Sequence, residues 1–414
     1  MSRLNDLLAS EDAVPTESDP EFANYNILEQ RLLVKSGGDK SKLQRLYRRV
    51  KGKMAYFSSA GIGDTAASGG GGSPPVSCTV EIIDTLTAAS PVANDHFGGG
   101  VGIKGNELFV GEIDSGNGVV RYFTRASSTD PFTLDQTISP GFSAADAEFG
   151  RGIDYDGQTL AIGQHNNDLN NVVETFTNVG GTWTQEQVLT PNDLTFNNKS
   201  GISVAVYGNW LAMGVPGTPA FNVDGAVDFW QRIAGVWTYS STITSTTVND
   251  SAFGGGVTLM GDATCFITRF GDAAHANLET VSTIEKWTRS GTTWSFDSEF
   301  TIPYGRADIN VDYNRTSKFG IELDDDGTNL VVGLSLHDTN GAFAIYDQSG
   351  TELMLQKNDA VEYFGYGIAM SDGQVAVGKP SADPSATTDA GEVEVWTHCL
   401  TIGSESTPEA PTTP

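Results

Sequence analysis

The chain has 414 residues, 48 of them glycine, with 18% charged residues and a formal net charge of −28. Its length allows one large domain with extensions, three cysteines are too few for a disulfide-built scaffold, and no apolar run approaches a membrane-spanning length. The charge is uneven: residues 1–56 carry ten Lys and Arg against eight Asp and Glu, about +2, and the rest carries fourteen against forty-four, about −30, a field that repels phosphate backbones and excludes nucleic acid as a partner of the larger part.

Residues 1–20 are polar and acidic and hold no continuous apolar stretch of the signal-peptide kind, so a chain made without a classical export signal is expected. Residues 37–54, "GGDKSKLQRLYRRVKGKM", read as a short helix. Leu43, Leu46, Tyr47, Val50 and Met54 fall on one face by their three- and four-residue spacing, with Lys and Arg opposite. Three readings of this segment stand: a solvated helix docked on the larger domain, an anchor that folds against another protein of an assembly, or a basic face touching nucleic acid or a membrane surface. Residues 1–60 are therefore delimited as a partly helical anchor segment. Residues 61–77, rich in Gly and Ser with Pro74-Pro75 near their end, form a linker.

A strand is expected at 78–87, "CTVEIIDTLT". Six copies of one pattern follow, opening at Phe97, Phe149, Ser200, Phe253, Phe319 and Phe364. Eleven residues after the opening comes an apolar residue in five copies: Leu108, Leu160, Leu211, Leu330 and Val375. Fourteen residues after it comes a glycine in five: Gly111, Gly163, Gly214, Gly333 and Gly378. Turn glycines between the two apolar runs (Gly105, Gly157, Gly208, Gly261, Gly327, and Gly373 shifted by one) predict a β-hairpin at the head of each copy. A third strand runs from a small residue to an aromatic, as from Gly118 to Phe123 or Gly225 to Trp230. A fourth often opens on an aromatic, as at Trp183, Trp237 and Trp294. Four strands in about 50 residues cannot bury both faces alone, and radial stacking solves that. The sixth copy lacks its fourth strand, so the strand at 78–87 is expected to complete it. The fold expected is all-β: a six-bladed β-propeller over 78–400 closed by an N-terminal strand, with an acidic Pro/Thr tail at 401–414.

The Phe-Gly openings and the "VG" that closes each second strand, with "GVP" at Gly214–Pro216, resemble the FG-GAP repeat of integrin α-subunit propellers and related bacterial and viral proteins. The resemblance implies a propeller and raises Ca²⁺ as a cofactor, held in some blades by an Asp/Asn-rich run with glycine sixth and an acid ninth. Asp154 and Asp156, and Asp324 and Asp326, match positions three and five; position nine is Leu160 or Leu330, so the pairs read instead as tight Asp-Gly hairpins, and neither metal nor cofactor is expected.

No nucleophile motif, phosphate loop or paired-cysteine motif occurs, and the five histidines are scattered, with His96 and His165 expected on loops near blade ends. The protein is read as non-enzymatic. Anchor, linker, β head and tail make an arrangement for display. It suits a structural protein of a virus or phage particle, bound to other particle proteins through its first 60 residues and facing a host-surface glycan or protein. The alternative is a cell-surface or secreted adhesin or lectin-like module. At the seam, aligning Trp396 with Trp287 and Val80 with Trp294 places Cys78 and Cys399 as neighbours.

Overall fold

Each repeat opens with alternating apolar residues around a two- to four-residue turn, and each such pair of runs becomes the two inner strands of a four-stranded antiparallel sheet. A computed structural model describes residues 80–398, apart from 115, 143–146, 166–170, 193–199, 217–224, 246–252, 271–281, 303–321, 336–340, 358–362 and 385–386. The expected helix at 37–54, the linker, the tail, and both Cys78 and Cys399 fall outside these residues.

Among the described residues, twenty-four strands form six sheets. Blade 1 consists of β2 (Phe97–Lys104), β3 (Glu107–Glu112), β4 (Val119–Thr124) and β5 (Thr133–Ile138), in that order from the axis outward. The innermost strands of blades 2 to 6 are β6 (Glu148–Tyr155), β10 (Val204–Tyr207), β14 (Val257–Leu259), β18 (Leu323–Asp325) and β22 (Ile368–Ser371). Each touches the next in sequence and β22 touches β2, so the ring closes. The sixth sheet takes its outer strand from the front of the chain: β1 (Ile82–Leu86) pairs antiparallel with β24 (Glu392–Thr397), Ile82 facing Trp396 and Leu86 facing Val393. All six blades and their closure by an N-terminal strand are as the repeat register predicts.

The core lies between blades. The opening aromatics Phe97, Phe149, Phe253 and Phe364 are fully buried, and their burial, with the Leu and Val of the second strands, supplies the hydrophobic driving force. Side chains on the outer strands also clasp neighbouring blades. The Gln136 amide donates to the Trp183 carbonyl (3.0 Å) and accepts from its N–H (2.8 Å). Gln187 does the same with Trp237, at 2.8 and 2.9 Å. At the seam, Asp84 of β1 accepts the Phe132 N–H at 2.9 Å.

Strand direction separates the two rims. At one rim, connections are two to eight residues long; at the other they run from six to twenty. The chain enters β1 and leaves β24 at the short-turn rim, where the Thr397 N–H donates to the Glu81 carbonyl at 2.9 Å.

Candidate functional site

Inner strands of a propeller line its axis, and the small residues there leave space. Two cavities lie along the axis. The larger, about 180 Å³, is lined from every blade, including by Lys104, Asp154, Tyr207, Thr258, Asp325 and Met370. The smaller, about 20 Å³, is lined by Ser203, Glu322 and Ile368 among others. Asp154 and Asp324 line both.

The four aspartates singled out from sequence divide into two roles. Asp156 and Asp326 hold the inner hairpins: Asp156 accepts the N–H groups of Gln158 and Thr159, both at 2.8 Å, and Asp326 those of Thr328 and Asn329 at 2.9 and 2.7 Å. These are side-chain turns of the kind short acidic residues make with the backbone two and three residues on. Asp156 also accepts the Gly208 N–H of blade 3 at 2.8 Å. Asp154 accepts from Tyr155 (2.7 Å) and from Val206 of blade 3 (2.6 Å), and Asp324 from Met370 of blade 6 (2.7 Å). All four carboxylates are thus engaged by N–H donors. Leu160 and Leu330, which occupy the ninth position of the calcium pattern, are fully buried in the core. Among the described residues no group of three or more His, Cys, Asp or Glu is arranged to hold a metal ion.

Asp154, Asp324 and Asp325 are half-buried and face the larger cavity. Burial pushes the Asp154 carboxyl up to about 7, against the pull of the two N–H donors. Burial, and then the Asp154 and Asp325 charges, push Asp324 up as well. Asp325 rises by burial although the Thr258 hydroxyl donates to it at 2.6 Å. In the lining of the smaller cavity, burial raises Glu322 to about 8 despite the Arg151 charge. Arg151 is itself buried, donates to Glu148 at 3.0 Å and lies 4.6 Å over the Tyr366 ring. Burial acts against its charge, but Tyr366, Glu148 and Glu322 outweigh that and raise it.

Sequence reasoning missed this axial group. Its signal is positional: Arg151 and Tyr366 stand two places after an opening residue, where other copies carry Gly99, Gly255, Ile202 and Ile321, and Glu322 stands three places after, where others carry Gly100, Gly152, Gly256, Gly367 and Ser203. His96 precedes β2 as expected, hydrogen-bonded to Asp114. His165 is not on a loop; it ends the strand Thr159–His165 and is buried, because the second strand of blade 2 runs two residues past its repeat glycine. His275 and His337 lie outside the described residues.

No protein-family model and no curated protein matches this chain. Among solved structures it is similar to one described as a crystal structure of mitotic checkpoint complex, at 11% identity over 81% of this chain and 98% of that one, with a TM-score of 0.44. The strand pairing itself therefore defines the class: an all-β, six-bladed β-propeller, a fold suited to binding other molecules.

Proposed function

We propose that the protein is a non-enzymatic display protein of a virus or phage particle, held by residues 1–60 and presenting the propeller to a partner outside. One observation carries this reading: the chain enters β1 and leaves β24 at the short-turn rim, and the long connections gather at the opposite rim. A tether on one rim leaves the other open. Loops on a rigid scaffold are where binding residues concentrate, and the excess of acid over base in the larger part favours a basic or cation-bearing contact. The partner at the tethered side is another particle protein; at the open side it is a host-surface glycan or protein.

Deleting residues 1–60 tests this. The shortened chain is expected to remain soluble, with the far-UV spectrum of a β protein, and to fail to co-purify with particles that incorporate the full chain. Incorporation at the full-length level would overturn the anchor.

A further inference from the structure

In every blade the third strand carries one residue at an equivalent place, paired with an apolar residue of the second strand. It is Glu174, Asp228, Glu285 and Glu394 in blades 2, 3, 4 and 6, with Arg121 in blade 1 and Ala344 in blade 5. The four acids are buried, and a buried charge is costly unless donors meet it. In blades 2 and 3 the donors come from the crossover that arrives from the preceding blade. Glu174, on β8 (Val172–Val179), accepts the Gly141 N–H at 2.9 Å on one oxygen and the Phe142 N–H at 3.2 Å on the other. Asp228, on β12 (Ala226–Ile233), accepts the Asn192 N–H at 2.7 Å. The fourth strand completes each group. Gln185 of β9 (Thr182–Leu189) donates to Glu174 at 2.7 Å, and the Thr242 hydroxyl of β13 (Val236–Thr244) donates to Asp228. The crossover approaches closely enough that a Cβ added at Gly141 would fall 2.2 Å from the Gln185 side-chain oxygen. The remaining blades differ. Glu285 accepts from the Trp287 indole at 2.9 Å and meets its crossover through the Ser245 hydroxyl at 3.4 Å. Glu394 is engaged by Lys379 at 2.5 Å and the Trp396 indole at 3.0 Å. Arg121 turns to Glu112, at 3.0 and 2.6 Å, and Ala344 has no acceptor to offer.

We propose that Glu174 and Asp228 are positioning residues of the open rim: each clamps the crossover that enters its own blade, so that two neighbouring long connections are set before a partner arrives. The inference rests on the reading of that rim as the contact side. A carboxylate suits the task because both of its oxygens only accept, so the Gly141 and Phe142 N–H groups are served together by one side chain, through charge-assisted bonds. A connection fixed in advance loses less freedom on contact. Phe142, whose backbone Glu174 holds, has an exposed side chain, and an aromatic ring on a held backbone is the form that strong contact residues take at binding surfaces.

Amide hydrogen exchange in the full chain tests the clamps. In Glu174→Ala the Gly141 and Phe142 amides should exchange about tenfold or more faster than in the unaltered chain, the scale of a lost hydrogen bond to a charged group. In Asp228→Ala the same should hold for Asn192, while the amides of β8 and β12 change far less. Glu174→Gln keeps the size of the side chain and one accepting oxygen, so it should free one of the two crossover amides and leave the other protected; it decides the matter if the alanine variant fails to fold. Crossover amides that keep their original rates in these variants overturn the proposal. So does a rise that the β8 and β12 amides share in full, for the carboxylates then support the sheet and not the crossover. The same rates are read with residues 1–60 deleted, so failure of the clamps and failure of the anchor are seen separately.

Discussion

At Gly111 an added Cβ would fall 2.2 Å from the Gly150 carbonyl oxygen of the neighbouring blade, and Gly150 itself has φ +95°. The same contact recurs from Gly163 to Gly201, Gly214 to Gly254, Gly333 to Gly365 and Gly378 to Gly98. The glycine fourteen places into one repeat thus seats the second residue of the next repeat, which explains the glycine content near the axis. Gly111→Ala is expected to lower stability by about 1–3 kcal/mol through overpacking, read by urea unfolding. Gly180→Ala, at φ +63° in open space, should cost about 1 kcal/mol from backbone conformation alone. Equal losses would show that close approach between blades is not what the glycines serve.

Blade-to-blade clasps act at the level of the strand. Gln187 satisfies both the N–H and the carbonyl of Trp237, so Gln187→Ala strands two part-buried backbone groups. A loss of about 1–3 kcal/mol in thermal or urea unfolding is expected, and an unchanged midpoint would show that water replaces the amide without cost. The strands were legible in the sequence because several constraints coincide: Leu160, Gly163 and Phe176 each mark a strand position, and the equivalent residues recur in register. The clasp was not legible, because Gln136 and Gln187 reach the backbone of Trp183 and Trp237 in the next repeat and Asp84 reaches Phe132, contacts that exist only once the blades are stacked. The common cavity of the axial acids was not legible for a related reason. Asp154 and Asp324 sit in stretches that resemble calcium loops, and their facing one cavity depends on a ring geometry that no local spacing reveals.

For the molecule as a whole, closure rests on β1. The sheet of blade 6 has four strands because residues near opposite ends of the chain pair, and Leu86 belongs to the same buried cluster as Phe97 and Val393. Removing residues 80–87 is expected to expose this cluster, giving a chain that binds hydrophobic dye and is cut rapidly by protease. A truncated chain that unfolds at the full-length midpoint would show that the ring holds without its seam. The junction between blades 4 and 5 departs from the others. It has Ile267 where five repeats have the seating glycine, and it carries the twenty-residue connection.

The seam also has a mechanical direction. A pull applied through the residues before Val80, with resistance at the ring, meets β1 at the end where Ile82 faces Trp396. The load reaches the Thr397–Glu81 and Ile82–Trp396 contacts before the rest of the β1–β24 ladder. A propeller hung by this strand therefore yields first at its own closure, at a force set by a few hydrogen bonds rather than by the core of the ring.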